Sequence, residues 1–501
     1  MTYLLGIDIG TSSAKALLFD VEQAAVAAVA GVEYPMQHPY PGYAEQNPDD
    51  WWQAVVESVR RVVNILDGQP DIAGIGLTGQ MHGFTPLDEQ NNILHPAIIW
   101  ADQRSAGIID DLTERVGYDT FINVAGTLPA AGFMASTLFW MQQNDPALLA
   151  RISKVILPKD YIQLRLTGAV ATDTSDAAAT ALFDVTAGKW SESIISTLKF
   201  PPDIFPDVHL STDVIGQLDA GAADALNLRP GIPVVAGCAD QPAQSIANGV
   251  LEPGIVSVTT GTGGQVSVPL RIKDGFKTDP RVHVFNHAVP GSAYILGAIL
   301  SAGLSLRWLR DTVGLKNTPN AYDRLSQDAA TVPPGAEGLI FLPYLVGERT
   351  PLMDPEARGA FIGLSTRHGR GHLARAVMEG VTFALRQALE VSLSLSPTPV
   401  TQIIAAGGGA ESTLWRGIQT DVFNLPLQKS LLTEQTGIGA AMLAGIGTGV
   451  YSGFDEAVAA VAHYDEPTIP RSENRVRYDD LYQHFTELYP RLRDDFHRLV
   501  R

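Results

Sequence analysis

The sequence contains a single cysteine, Cys238, so no intrachain disulfide can form and a disulfide-stapled scaffold is excluded. Basic charge is scarce as well: 35 Lys and Arg stand against 54 Asp and Glu, a formal net charge of −19. No basic face for DNA, RNA or an anionic membrane is therefore expected. An anionic ligand would have to be held locally, by backbone N–H groups and a metal ion. No apolar run is long enough to cross a bilayer. The opening residues, MTYLLGIDIGTSS, lack a basic segment followed by a long apolar stretch, so no signal peptide is expected. A cytoplasmic location fits these absences.

Several chemistries are missing by motif. There is no G-x-x-x-x-G-K-[ST], which excludes a P-loop kinase, no Cys/His cluster with zinc spacing, and no G-x-S-x-G elbow. Gly74-Ile75-Gly76-Leu77-Thr78-Gly79 matches the dinucleotide pattern G-x-G-x-x-G. It lies inside an apolar strand pattern and no helix opens from it, so that reading fails on context.

What is present reads as α/β. The 501 residues exceed one core, and 45% hydrophobic with 18% charged residues is ordinary globular composition. Strands are expected at 3–9, 14–20 and 72–78. Asn47 reads as a helix N-cap with Pro48 first in the helix and Val55, Val59, Val62, Val63 and Leu66 on one face. A strand at 233–237 leads into a helix near 243–247. Strands at 255–260, 265–268, 293–297 and 402–406 repeat the logic. The boundary is placed near residue 245, giving domains 1–245 and 246–501. The end, 478–500, reads as a long charged helix with a possible break at Pro490.

Two turns of small and hydroxyl residues each sit between two strands, Gly10-Thr11-Ser12 and Gly261-Thr262-Gly263. Such a pair, one per half, points to a duplicated unit. Glycine lets backbone N–H groups approach a phosphate, and the hydroxyls add donors. Asp8, two residues before Gly10, is placed to hold Mg²⁺ directly or through water. Asp240 follows the strand end Gly237-Cys238-Ala239 and opens a helix. By local pattern it is either an N-cap or a carboxylate in a ligand cleft. Gly407-Gly408-Gly409 follow a strand and leave room for the flat face of an adenosine. Gln80-Met81-His82 lie between glycines and could hydrogen-bond a polyol. Trp100 and Asp102 end another strand and are candidates for the same pocket.

Together these segments resemble the FGGY carbohydrate kinases over nearly the whole chain. GIDIGTSSAKALLFD (6–20) looks like the family's first phosphate motif, and GAFIGLSTRHGRGHLARAVME (359–379) like its second signature. LPYLVGERTP (342–351) and AGLSLRWLRD (302–311) are similar to further family segments. The resemblance implies two actin-like ATPase (ribonuclease H-like) domains with an interdomain cleft. It also implies ATP and Mg²⁺ as cofactors, a sugar as the other partner, and a possible homodimer. Asp240 would be the catalytic base and Gln241 a sugar contact, with Met81 and His82 facing the sugar. Thr11, Ser12 and Thr262 would contact phosphates, with Gly303, Arg307 and Gly408 bordering the nucleoside.

The expected reaction is phosphoryl transfer to a ketose hydroxyl, D-xylulose first. The alternatives are ribulose, L-xylulose or gluconate, or a nucleotide-binding module without sugar chemistry. An ordinary carboxylate pKa near 4 is expected for Asp240. Two departures bear on the sugar: Thr137 stands where the family's first signature has Lys, and Asp240 is followed by Gln241 where many relatives have Asn.

Overall fold

In the computed structural model, residues 1–66 and 68–500 are described. The chain opens with β1 (Thr2–Ile9), β2 (Ser13–Asp20), β3 (Ala25–Glu33), α1 (Pro48–Val63) and β4 (Asp71–Gly79). Shorter elements follow, then β5 (Pro233–Val235), β6 (Cys238–Ala239) and α2 (Asp240–Ala247). Next come β7 (Ile255–Thr260), β8 (Gly264–Arg271), β9 (Ser292–Ile299), α3 (Gly303–Thr312) and α4 (Arg370–Leu395). The chain ends with β10 (Gln402–Ala406), α5 (Thr413–Phe423), β11 (Leu427–Lys429), α6 (Gln435–Gly447) and α7 (Ser472–Val500).

Two units form. The first is Met1–Leu251 with Val284–Ala293 and Leu432–Ala462; the second is Glu252–His283, Tyr294–Leu431 and His463 onward. The chain thus returns twice to its first unit, through segments whose local pattern carries no mark of where they pack.

Each unit is built on a mixed sheet of one design. In the first, β1 and β2 form an antiparallel hairpin with Ile9 opposite Ala14, and β3 continues antiparallel to β2. On the other side β4 lies parallel to β1, and β5 and β6 parallel to β4. The order is β5-β4-β1-β2-β3, with Val214–Gln217 beyond β5. In the second sheet, β7 and β8 form the hairpin with Thr260 opposite Gly264, and β10 and β11 follow in parallel. The order is β9-β8-β7-β10-β11. The likeness of two short turns is therefore a likeness of whole sheets.

In the first unit α1 starts as its sequence dictates. The Asn47 side chain accepts from the Asp49 N–H at 3.2 Å, Pro48 follows, and Trp51, Val55, Val59 and Val62 are buried. α6 lies against β1 and β4, and glycines let it approach. A Cβ on Gly76 would stand 1.8 Å from the Ala440 carbonyl oxygen, and one on Gly6 would stand 2.1 Å from that of Gly437. Gly74 and Gly76 of the G-x-G-x-x-G stretch thus serve close helix-on-strand packing. Gly76→Ala should abolish folding or cost more than ~4 kcal/mol, because neither backbone can retreat. Gly107→Ala, where a Cβ meets nothing within 4 Å, is the control and should be near neutral. Urea unfolding of both variants checks this.

Two local expectations are revised. The strand expected over 233–237 stops at Val235, and a second piece begins at Cys238. Between them Gly237 takes φ +71°, with Leu77 O 2.0 Å from where a Cβ would lie, so only glycine makes this step. In the second unit α7 begins at Ser472 and runs through Pro490 without a break. Tyr478, Tyr482 and Phe485 pack against Phe383 of α4 on the turns before the proline, which holds the helix through one missing N–H.

Candidate active site

The turn joining β1 and β2 is held by its carbonyls. The Gly10 oxygen accepts from the Tyr34 hydroxyl, the Thr11 oxygen from the Gln46 amide at 2.7 Å, and the Ser12 oxygen from the Tyr34 N–H at 3.2 Å. With the carbonyls turned inward, the N–H groups of Thr11 and Ser12 meet no acceptor among the described residues. That is the arrangement of an anion-binding turn. Trp100 donates its indole N–H to the Thr11 hydroxyl oxygen at 2.9 Å. A hydroxyl that accepts there keeps its own proton to donate.

The second unit repeats the device. The Gly261 oxygen accepts from the Gly303 N–H at 2.8 Å, and the Thr262 oxygen from the N–H groups of Ala302 and Leu304, both at 3.0 Å. The N–H groups of Gly261 and Thr262 are left without acceptors among the described residues. A Cβ on Gly303 would lie 2.6 Å from the Gly261 oxygen, which accounts for that glycine. A cavity of about 880 Å³ opens here, lined by Gly261, Thr262, Gly303, Arg307, Gly408 and Gly409 among others. The size suits a nucleoside-containing ligand. The glycines of 407–409 divide their work. Gly407, at φ +80°, and Gly409 pack onto Thr260, whereas a Cβ on Gly408 would meet nothing within 4 Å.

In the first unit, Asp8 lies near the carboxyl end of β1 and Asp240 directly follows β6, the two strands flanking β4 on either side. Asp8 Oδ2 accepts from the Thr436 hydroxyl at 2.6 Å, while its Oδ1 is buried without a partner. Burial pushes its pKa up to about 6. Asp240 is not the N-cap, a position taken by Ala239; it is the first residue of α2, and its Oδ1 is likewise buried and unpartnered. Its pKa rises to about 7, first through burial and then through the charge of Asp8, opposed by backbone N–H groups. The ordinary value expected from sequence is overturned, because sequence shows neither the burial nor the second carboxylate. Two orphaned carboxylate oxygens in one electrostatic neighbourhood are what a hard divalent cation satisfies. Among the described residues no group of three His, Cys, Asp or Glu could hold a metal alone, so waters and phosphate oxygens would complete its shell.

The polyol candidates fall into different environments. His82 adopts φ +71°, stacks on Phe133 with ring centres 3.9 Å apart, and places Nδ1 2.5 Å from the Ala179 carbonyl. A carbonyl only accepts, so Nδ1 is the donor there. Left-handed backbone at a non-glycine residue is strain of the kind that collects at functional sites. Met81 is buried beside it. Gln80 is buried, and its amide donates to Gln46 Oε1 at 2.8 Å. Trp100 keeps 40% of its surface exposed. Asp102 is buried, and its oxygens accept from Ala44 N–H and from the backbone and guanidinium of Arg104. Gln241 is partly exposed next to the base. Thr137 is buried with its hydroxyl unpartnered.

Sequence reasoning missed the support beneath Asp240. Lys159 is fully buried with Asp160 at 2.6 Å, Asp173 at 3.0 Å and Asp176 at 3.5 Å. Asp173 Oδ2 accepts from Ser175 and Ser211 hydroxyls, and Ser175 Oγ accepts the Ala239 N–H. A buried cation is thus linked through Asp173 and Ser175 to the peptide that carries Asp240. Burial and the neighbouring carboxylates drive Asp176 well above the usual carboxylate range, and the carboxylates hold Lys159 charged. Leu-Pro-Lys-Asp gives no sign of this beyond a helix start with an acid in its first turn. Tyr34, Gln46 and Thr436 also went unmarked, because each reaches its partner from a distant part of the chain.

Residues 3–247 match the model of the FGGY family of carbohydrate kinases, N-terminal domain, and residues 256–448 the C-terminal domain of the same family. The chain is 37% identical to a xylulose kinase of Lactococcus lactis over 504 aligned residues, covering 100% of this chain and 99% of that one. It is 31% identical to a gluconokinase of Bacillus subtilis over 91% of this chain and 89% of that one. The crystal structure of a xylulose kinase from Rhodospirillum rubrum superposes with a TM-score of 0.91 at 32% identity, covering 99% of this chain and 100% of that one.

Proposed function

The chain belongs to the FGGY family of carbohydrate kinases, and from that premise we propose that it transfers the γ-phosphoryl group of ATP to the terminal hydroxyl of D-xylulose, giving D-xylulose 5-phosphate. The observation that carries the catalytic assignment is the unpartnered, buried oxygen of Asp240, set at a helix start beside a second acid and raised towards neutrality. The choice of D-xylulose is supported by the full-length likeness to xylulose kinases.

Asp240 takes the hydroxyl proton as the sugar oxygen attacks phosphorus, and the bond to the ADP leaving oxygen breaks. A base with a pKa near 7 is matched to neutral operation better than an ordinary carboxylate. The pinned turns at 10–12 and 261–262 aim N–H and hydroxyl donors at phosphate oxygens without reorganising during transfer. Asp8 would hold Mg²⁺, which would supply neutralisation of phosphate charge. Arg307, Gly408 and Gly409 border the nucleoside. Met81, His82, Trp100 and Gln241 meet the sugar. Asp102 acts at one remove, by fixing the loop that carries Trp100.

Coupled ADP release with Mg-ATP and a panel of sugars tests this. D-Xylulose should give the highest kcat/KM, above D-ribulose, L-xylulose, L-ribulose, gluconate and glycerol. A clear preference for gluconate would move the substrate to the sugar acids, in keeping with the gluconokinase likeness, and leave Asp240 in place.

A further inference from the structure

Gln46 joins the sugar loop to the phosphate turn. It is buried, and both ends of its side-chain amide are engaged at one crossing point. Its Oε1 accepts twice, from the Trp51 indole N–H at 3.1 Å and from the Gln80 amide at 2.8 Å. Its Nε2 donates to the Thr11 carbonyl at 2.7 Å. Because both donors converge on Oε1, flipping the amide would set N–H against N–H, so the orientation is fixed. Trp51 is the fourth residue of α1, and Gln46 directly precedes the Asn47 cap, so the bond anchors Gln46 to a rigid helix. At the far end, Gln80 N–H bonds the Ile9 carbonyl at 2.8 Å, and Met81 and His82 follow directly. Gln80 Oε1 is buried with no protein partner.

The result is a directed chain from Gln80 through Gln46 to Thr11. It runs from the loop assigned to the sugar to the turn assigned to a phosphate. We propose that Gln46 is a positioning residue for phosphoryl transfer: it holds the Thr11–Ser12 N–H groups in register and transmits the placement of loop 80–82 to them. This rests on the kinase function proposed above. Tyr34 and Trp100 still hold the turn when Gln46 is lost, but the Thr11 carbonyl loses its donor and is no longer fixed inward. Misplacement on the scale of ~1 Å at a reacting group is worth roughly 10²-fold in rate.

The test is a double-mutant cycle on the full chain with Gln46→Met and Gln80→Met, which keep side-chain length and remove the hydrogen bonds. ATP and D-xylulose kinetics are read together with melting temperature. Gln46→Met should lower kcat at least ~10-fold and raise KM for ATP, with KM for the sugar changed less than ~3-fold. Adding Gln80→Met to Gln46→Met should cost little more, since the chain is already cut. Rates within twofold of wild type would overturn the proposal. So would Gln80→Met raising only the sugar KM, with effects that multiply in the double variant. A loss of activity that merely follows the unfolded fraction would also overturn it. If wild-type protein transfers phosphate to no sugar, it is the kinase function that fails, a result visible before any variant is made.

Discussion

Asp240→Asn should lower kcat by ~10²–10⁴-fold while making the metal-free protein more stable at pH 8. The kinetic half follows from removing the carboxylate proposed as the base. Substrate KM should change far less, because Asn keeps the shape. The stability half follows from the sign of the shift. The folded pKa, about 7, lies above the ordinary 3.8 because burial and Asp8 disfavour the charged form. Between about pH 4 and pH 7 the folded state holds a proton that the unfolded state has released. Stability therefore falls as pH rises through that window, and above it the cost is complete. An amide carries no such cost. In EDTA, Asp240→Asn should gain on the order of a few kcal/mol at pH 8 and nothing near pH 4. Equal melting temperatures at pH 8 would show that the carboxylate is not held against its preference. A near-wild-type rate would remove it as the base.

Lys159→Met should be the most damaging single change to the first unit outside its glycines. Among the described residues it removes the one cation within 3.5 Å of Asp160, Asp173 and Asp176, all fully buried. Breaking a buried ion pair from one side costs about 3–5 kcal/mol, since the remaining charge has no water to meet. The loss should shrink as pH falls and Asp160 and Asp176, both held above the usual carboxylate range by burial, protonate. Asp176→Asn in the same chain should recover part of it, by removing one of the uncompensated acids. Denaturant unfolding at pH 8 and pH 5 reads all of this. An unchanged midpoint in Lys159→Met would mean that water reaches the cluster. Because Asp173 also fixes the Ala239 peptide through Ser175, folded variant protein should lose kcat before it loses substrate binding.

The parts of this molecule legible in its sequence are those encoded locally. Tyr3–Ile9 and Ile255–Thr260 are apolar runs that end in small residues, and both are strands leading into turns. Asn47-Pro48 announced α1. The kinase family was legible because its signatures keep order and spacing over most of the chain. What was not legible depends on contacts between distant residues. Segments 284–293 and 432–462 rejoin the first unit, yet nothing within them says so. The glycines at 74 and 76 resembled a ligand loop on paper and are seats for α6. The pKa of Asp240 depends on Asp8, more than two hundred residues away. Gln46 and Lys159, each in an unremarkable stretch, acquire roles only when the fold brings their partners.

The account is tested most directly by ³¹P NMR of the protein mixed with Mg-ATP and D-xylulose. It predicts ADP and one new phosphomonoester signal, split by two protons because the phosphate sits on a primary carbon, and no such signal with Asp240→Asn. Inorganic phosphate and ADP alone would contradict it, leaving an ATPase without sugar transfer.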